Sequence, residues 1–250
     1  MNSTALAEIL QNDEWTIETW NSHLGLKPML RSLGPFELGP DGHGIYCLDA
    51  KDATRDIPDE SVDLIFTDPV YQNIQDYEWL AQTAARILKP NKPLFCFCSN
   101  VKQYDVQPVM KKYLTFEMPF IYTVVAKSYS LHRYHTFVWT TPCLLFSKGH
   151  ALPHHWLPDT FISTKPRSKD NSHKWNKNVE VYVKWIEAFT QPGDIVFDPF
   201  CGGGTTGIAA KELDRYFLGF EIMADVAEEA CSRIRKYRTA TQNRLPLTAS

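Results

Sequence analysis

Asp198-Pro199-Phe200-Cys201-Gly202-Gly203-Gly204-Thr205-Thr206-Gly207 constrains the fold more than any other stretch of this chain. Ile195 to Phe197 before it reads as a short apolar strand, and Thr205 to Leu213 after it as a helix. A strand that turns through glycines into a helix lets backbone approach a ligand closely and aims a helix N-terminus at it. Gly202, Gly204 and Gly207 satisfy G-x-G-x-x-G, and Glu221 follows Gly202 by 19 residues at the end of a further strand. Formally this is also the dinucleotide fingerprint, with the acid accepting from ribose hydroxyls. No Lys-Ser/Thr pair follows the glycines, so a phosphate-binding P-loop is excluded.

Two tracts alternate strand and helix, which predicts an α/β fold with a mostly parallel, doubly wound sheet. In the first, Val62 to Thr67 is a strand and Tyr77, Leu80, Ala81, Ala84, Ile87 and Leu88 recur at helical spacing. Lys89-Pro90-Asn91 stops that helix, and Leu94 to Cys98 is a strand apolar on both faces. In the second, Val179, Tyr182, Val183, Ile186 and Phe189 form one helical face stopped by Pro192-Gly193. The glycine turn follows, then a strand over Tyr216 to Glu221 and an amphipathic helix over Ala224 to Tyr237. The expected organisation is a helical extension over 1–44 ending in a Gly/Pro-rich connection, and one α/β half over 45–128. A loop-rich insertion over 129–174 follows, with one strand inside Phe137 to Ser147, then a second half over 175–238 and a tail over 239–250.

The chain has 250 residues, enough for one large domain with a sizeable core. At 44% apolar and 22% charged residues it has the composition of an ordinary globular protein. Met1 to Asp13 has no basic start followed by an apolar run, and no stretch is long and apolar enough to span a membrane. Its six cysteines follow no metal spacing and read as reduced, which places the protein in the cytoplasm, nucleoid-associated or phage-encoded origins included. His132, His135, His154 and His155 lack acidic or cysteine partners at ligand spacing, so no metal is expected.

Net charge is −3, but it is unevenly spread. Residues 1–72 carry 13 acidic and 4 basic side chains, whereas residues 102–175 carry 10 basic and 4 acidic ones. A basic segment in an acidic chain is a candidate phosphate-facing surface. A solvated face is the plainer reading. Arg133, Lys165, Lys169 and Lys174 are the candidate nucleic-acid contacts, in a window that also holds Tyr129, His132, Tyr134 and His135.

Thr67-Asp68-Pro69-Val70-Tyr71, at the end of the first apolar strand, separates the competing readings of the glycine turn. Alone, such a tetrapeptide is an ordinary turn. In this order with Asp198-Pro199-Phe200 and the glycines, the chain resembles the S-adenosylmethionine-dependent amino-group DNA methyltransferases of the permuted beta class. Those carry (Asp/Asn/Ser)-Pro-Pro-(Tyr/Phe) and Asp-Pro-Phe-x-Gly-Ser-Gly-Thr; here Val70 and Gly203 depart from the pattern. The resemblance runs from about Tyr46 to Arg235 and implies a circularly permuted Rossmann-like fold with a small recognition insertion. It implies S-adenosylmethionine as cofactor and the N6 amine of adenine in DNA, flipped into the pocket, as methyl acceptor. A homodimer and a cognate restriction endonuclease are further partners it admits, and a membrane is not.

By that resemblance Asp68, Pro69 and Tyr71 are catalytic. The turn from Phe200 to Thr205, with Asp198, Gly202 and Gly204, holds the methionine part of the cofactor, and Glu221 the ribose. His173-Lys174-Trp175-Asn176-Lys177 resembles the family's His-x-x-x-Lys segment and puts Lys177 near the methionine carboxylate. Leu48 to Ala53 resembles the adenine-contacting segment, with Asp52 and Ala53 its candidates.

The residue types suit the chemistry. An exocyclic amine delocalises its lone pair into the ring and is a poor nucleophile. Two acceptors on its hydrogens draw the nitrogen toward sp³, and a carboxylate also stabilises the positive charge that develops. Asp68 supplies the carboxylate, Pro69 a backbone carbonyl, and Tyr71 a face for a base taken out of the stack. Val70 frees φ and restores an N–H where the family has a second proline. N4-cytosine in DNA and an RNA amine are alternative acceptors. A nicotinamide-dependent dehydrogenase and an inactive nucleic-acid-binding homologue are the readings of another class.

Overall fold

The computed structural model of the chain describes residues 37–39, 43–71, 73–125, 129–131, 135–164 and 177–240. Among them, nine strands form one sheet: β1 (Glu37–Gly39), β2 (His43–Cys47), β3 (Leu64–Thr67), β4 (Pro93–Phe97), β5 (Thr115–Val124), β8 (Thr140–Ser147), β9 (Thr160–Ser163), β10 (Ile195–Asp198) and β11 (Tyr216–Glu221). A separate hairpin pairs β6 (Tyr129–Leu131) with β7 (Thr136–Val138). The sheet order is β1-β2-β11-β10-β3-β4-β8-β5-β9. From β2 through β4 every neighbour is parallel, so the carboxyl ends of β11, β10, β3 and β4 lie along one edge. β8 runs antiparallel to both β4 and β5, β9 runs parallel to β5, and β1 closes the other edge antiparallel to β2.

Strand alternation sorts the core into two layers. On one side, Ile65, Leu94, Cys96, Phe197 and Leu218 pack with Tyr77, Leu80, Ala84 and Ile87 of α2 (Ile74–Ile87). The same layer takes in Ala50 and Ala53 of α1 (Ala50–Ala53) and Val106 and Met110 of α3 (Gln103–Met110). On the other side, Phe66, Phe95, Phe97, Val196 and Phe217 meet α4 (Val179–Phe189), α5 (Thr205–Glu212) and α6 (Ala224–Lys236). Trp185 of α4 is the hub there, 5.9 Å from the Phe95 ring and 5.1 Å from that of Phe120. Each such fully buried aromatic stabilises the fold by roughly 1.5–3 kcal/mol over an exposed one. This is the expected α/β doubly wound, mostly parallel sheet, with the Asp68 strand preceding the glycine-turn strand in the chain.

Two of the long helices open on side-chain caps. Asn73 accepts from the Gln75 N–H at 3.2 Å to open α2, and Asn178 from the Glu180 N–H at 3.0 Å to open α4. Asn91, at φ +61°, turns the chain after α2 into β4. Two boundaries need correction. Residues 37–39, expected as a connection, form β1, because β2 offers them a free edge to pair with. The stretch 129–174, expected as an insertion, contributes β8 and β9 to the main sheet, since Cys143, Leu144, Leu145 and Phe146 are buried between neighbouring strands. What stands outside the sheet there is the β6–β7 hairpin and the segment 148–159. Residues 1–36, 165–176 and 241–250 of the expected extension, insertion and tail lie outside the described residues. No helix among the described residues is long and apolar enough to cross a membrane.

Candidate active site

β3 and β10 are adjacent and parallel, so the two sequence motifs that begin at their carboxyl ends stand side by side. This is the crevice where open α/β sheets bind ligands. Asp198, the last residue of β10, is buried, and its carboxylate ties the two motifs together. The Thr67 hydroxyl donates to its Oδ1 at 2.7 Å, the Thr206 hydroxyl to its Oδ2 at 2.5 Å, and the Phe200 N–H to Oδ1 at 3.1 Å. Burial pushes the Asp198 carboxyl up to about 7, against the pull of these donors. Thr67 precedes Asp68 directly, so the clamp fixes where the Asp68 loop leaves the sheet.

Asp68 is half-buried, and both of its oxygens are engaged. The Tyr71 hydroxyl donates to Oδ1 at 2.7 Å, and the Lys177 ammonium donates to Oδ2. Lys177 Nζ also lies 3.3 Å from the Tyr71 hydroxyl and 4.1 Å from the centre of the Phe97 ring. Burial and the neighbouring Asp68 charge raise the Tyr71 phenol well above its ordinary value, so it stays a neutral donor. Pro69 is buried and Val70 is exposed, so the loop is anchored by the proline and open at the valine.

In the glycine turn, Gly202 and Gly204 sit at φ +47° and +75°. A Cβ on Gly202 would meet nothing within 4 Å, whereas one on Gly204 would lie 3.1 Å from Ala230 Cβ and 3.2 Å from Ile234 Cδ1 of α6. Gly202 is therefore the residue that leaves room for a ligand, and Gly204 the one that lets α6 pack against the turn. Glu221 Oε2 accepts from the Gly202 N–H at 3.1 Å and Oε1 from the Met223 N–H at 3.0 Å. Those bonds leave lone pairs on both oxygens for a diol. Beside it Ile222 and Met223 are exposed. An acid facing an open glycine, with apolar side chains next to it, suits the ribose and base of a nucleoside. Cys201, inside the motif, is buried in the core, and burial pushes its thiol up, so it packs rather than reacts.

The DNA methylase family model for N6/N4 methyltransferases matches residues 127–232. The type II methyltransferase M2.MboI of Moraxella bovis is 24% identical, covering 83% of this chain and 93% of that protein. The crystal structure of M1.HpyAVI, solved with SAM, superposes with a TM-score of 0.67 at 26% identity, over 77% of this chain and 98% of that one. The chain is thus similar in sequence and fold to amino-group DNA methyltransferases. The cytosine-N4-specific PvuII DNA methyltransferase shares the fold at a TM-score of 0.70 and 17% identity, over 80% of this chain and 88% of that one.

Within this frame the expected site residues divide. Asp68, Pro69, Tyr71, Lys177, Asp198, Phe200, Gly202, Thr205 and Glu221 converge on the carboxyl ends of β3, β10 and β11. Phe200 is held edge-on by Trp79 at 5.8 Å, and Thr205 is the buried first residue of α5. Asp198 is sealed by its three donors, so it positions the turn rather than reaching a ligand. Lys177, expected near a carboxylate of the cofactor, pairs with Asp68 in this structure. Ala53 is fully buried in the core, and Asp52 beside it is exposed. Arg133, Lys165, Lys169 and Lys174 lie outside the described residues. Two participants escaped the sequence: Thr67, and Arg233 of α6, whose guanidinium donates to the Gly203 carbonyl. A threonine before the tetrapeptide and a basic residue in the helix packed on the turn were their only marks in the sequence.

Proposed function

We propose that this chain methylates the N6 amine of adenine in DNA, with S-adenosylmethionine as donor and the target base turned out of the duplex. The observation that carries this reading is the placement of Asp68 at the end of β3, one strand from the open Gly202 and Glu221 turn. A carboxylate that must meet an amine and a cradle for a nucleoside then face one crevice. The type II methyltransferase relative and the SAM complex of M1.HpyAVI support the substrate and the cofactor.

Gly202 and Glu221 would hold the cofactor's backbone-facing and ribose parts, and Ile222 and Met223 would flank its base. Bound there, S-adenosylmethionine supplies a methyl group on a sulfonium, an electrophile open to in-line attack. Asp68 accepts one amine hydrogen and stabilises the charge that develops on nitrogen, while the Pro69 carbonyl accepts the other. To do so Asp68 must release one of its present donors, and Lys177 is the one with another anion to go to, the methionine carboxylate. Holding amine and donor in one geometry supplies much of the remaining rate. Asp rather than Ser at the head of the tetrapeptide favours adenine over cytosine.

The test is radiolabelled methyl transfer to DNA, followed by mass spectrometry of the nucleosides. N6-methyladenine is expected; N4-methylcytosine would move the assignment to the other base. Asp68→Ala should lower the rate on the order of 10²–10³-fold with cofactor affinity largely kept. Wild-type turnover by that variant would remove Asp68 from the mechanism.

A further inference from the structure

Several exposed apolar side chains lie on the edge of the sheet that carries the site. β5 runs parallel to β4 through their shared neighbour β8, so β5 ends and β8 begins at the carboxyl edge of β4. The register fixes this: Phe97 faces Cys143, the Cys98 N–H donates to the Pro142 carbonyl at 3.0 Å, and Thr123 faces Thr140. The β6–β7 hairpin joins those two strand ends, so it leaves the sheet at the edge occupied by Asp68. Phe97, at the end of β4, lies under the Lys177 ammonium that holds Asp68.

Phe137 of β7 is 71% exposed and Trp139 just beyond it 47%, while Val138 between them is buried. Residues two apart in an extended segment share a face, so the hairpin shows an aromatic pair to solvent and anchors itself through the valine. Val70 of the catalytic loop, Tyr104 in the first turn of α3 and Ile222 after β11 are exposed on the same edge. A rim of aromatic and aliphatic side chains around a carboxylate suits the faces of unstacked bases rather than phosphates.

We infer that the β6–β7 hairpin enters double-stranded DNA at the target step, with Phe137 filling the gap that the extruded base leaves and Trp139 stacking on its neighbour. This rests on the base-extruding reading above. A base leaves the stack at a cost in stacking and pairing, and an aromatic that takes its place offsets that cost. Val70, where the family has a second proline, widens the apolar surface next to the gap.

Binding, without methyl transfer, tests the inference. The probes are a mixed-sequence duplex and the same duplex with one central abasic gap, titrated against the full chain while Trp139 fluorescence is followed with Trp139→Phe as the control. The wild-type chain should prefer the gapped duplex by about tenfold, because the gap admits Phe137 without unstacking. Phe137→Ala should erase that preference and Phe137→Trp keep it, with circular dichroism spectra unchanged as suits an exposed position. Equal affinity of the wild-type chain for both duplexes, or a preference that survives in Phe137→Ala, would overturn the inference. The methyl-transfer assay is separate, so a chain that prefers the gap but transfers no methyl group refutes the proposed reaction and keeps the hairpin's role.

Discussion

Asp198 shows how one residue couples the two motifs, and its energetics can be tested by pH. Its carboxyl ionises at about 7 in the folded chain against an ordinary 3.8, because burial disfavours the charge. Between those values the folded chain holds a proton that the unfolded chain has released. The contribution is therefore complete below about pH 4 and lost as pH rises toward about 7. Over that interval the wild-type chain should lose on the order of 4 kcal/mol relative to Asp198→Asn, at about 1.36 kcal/mol per unit. Denaturant titrations of both proteins at several pH values measure the difference. Parallel profiles would mean that the carboxyl titrates normally and the three donors outweigh burial. Asp68, one residue from the clamp, has the opposite design: a half-buried carboxylate with an ammonium and a phenol on its two oxygens.

At the scale of elements, the glycine turn is held from both sides. The Arg233 guanidinium of α6 holds the Gly203 carbonyl, and Gly204 gives α6 room to pack on the turn. Gly204→Val would place a branched side chain at φ +75° against Ala230 and Ile234. The left-handed backbone costs about 1–2 kcal/mol and the overpacking roughly 1–3 kcal/mol more, so its midpoint in urea should fall clearly. Gly202→Ala has a similar φ but open space, so its stability should fall less and its main loss should appear as weaker S-adenosylmethionine binding by calorimetry. Equal destabilisation of the two variants would contradict this division of labour. The turn was legible in sequence because glycines, a strand and a helix fall in order, and β11 appears over the same residues, Tyr216–Glu221, that periodicity marked. β5 was not legible. Its alternation is interrupted by Pro119 and by a register shift between Phe116 and Met118, so neither period survives in the sequence. The break between β7 and β8 at Trp139 was hidden for another reason: both segments are apolar, and only their different partners separate them. Lys177 illustrates the same limit at the site. Its motif placed it in the right crevice, but its pairing with Asp68 depends on strand order, which local sequence does not encode.

Across the whole molecule, charge is divided along the chain: residues 1–72 are acidic and end in the Asp68 segment, whereas the window 102–175 is basic. An overall charge of −3 opposes approach to DNA, so any affinity for phosphates has to come from local cations. Several of the window's basic side chains are committed elsewhere: Lys112 pairs with Glu78, Lys148 with Glu60 and Lys102 with Asp105. Of the seven basic residues of the window that remain, Arg133, Lys165, Lys169 and Lys174 are our proposed phosphate contacts. Neutralising all four should weaken DNA binding and leave cofactor affinity unchanged. The slope of log K against log salt should flatten by about 0.9 for each cation that had neutralised a phosphate. Phe137→Ala, by contrast, should lower affinity for intact duplex with the salt slope unchanged, since stacking releases no counterions. A fourfold neutralised chain that keeps the wild-type slope would show these cations to be a solvated face, and the aromatic rim would then have to supply most of the hold on DNA.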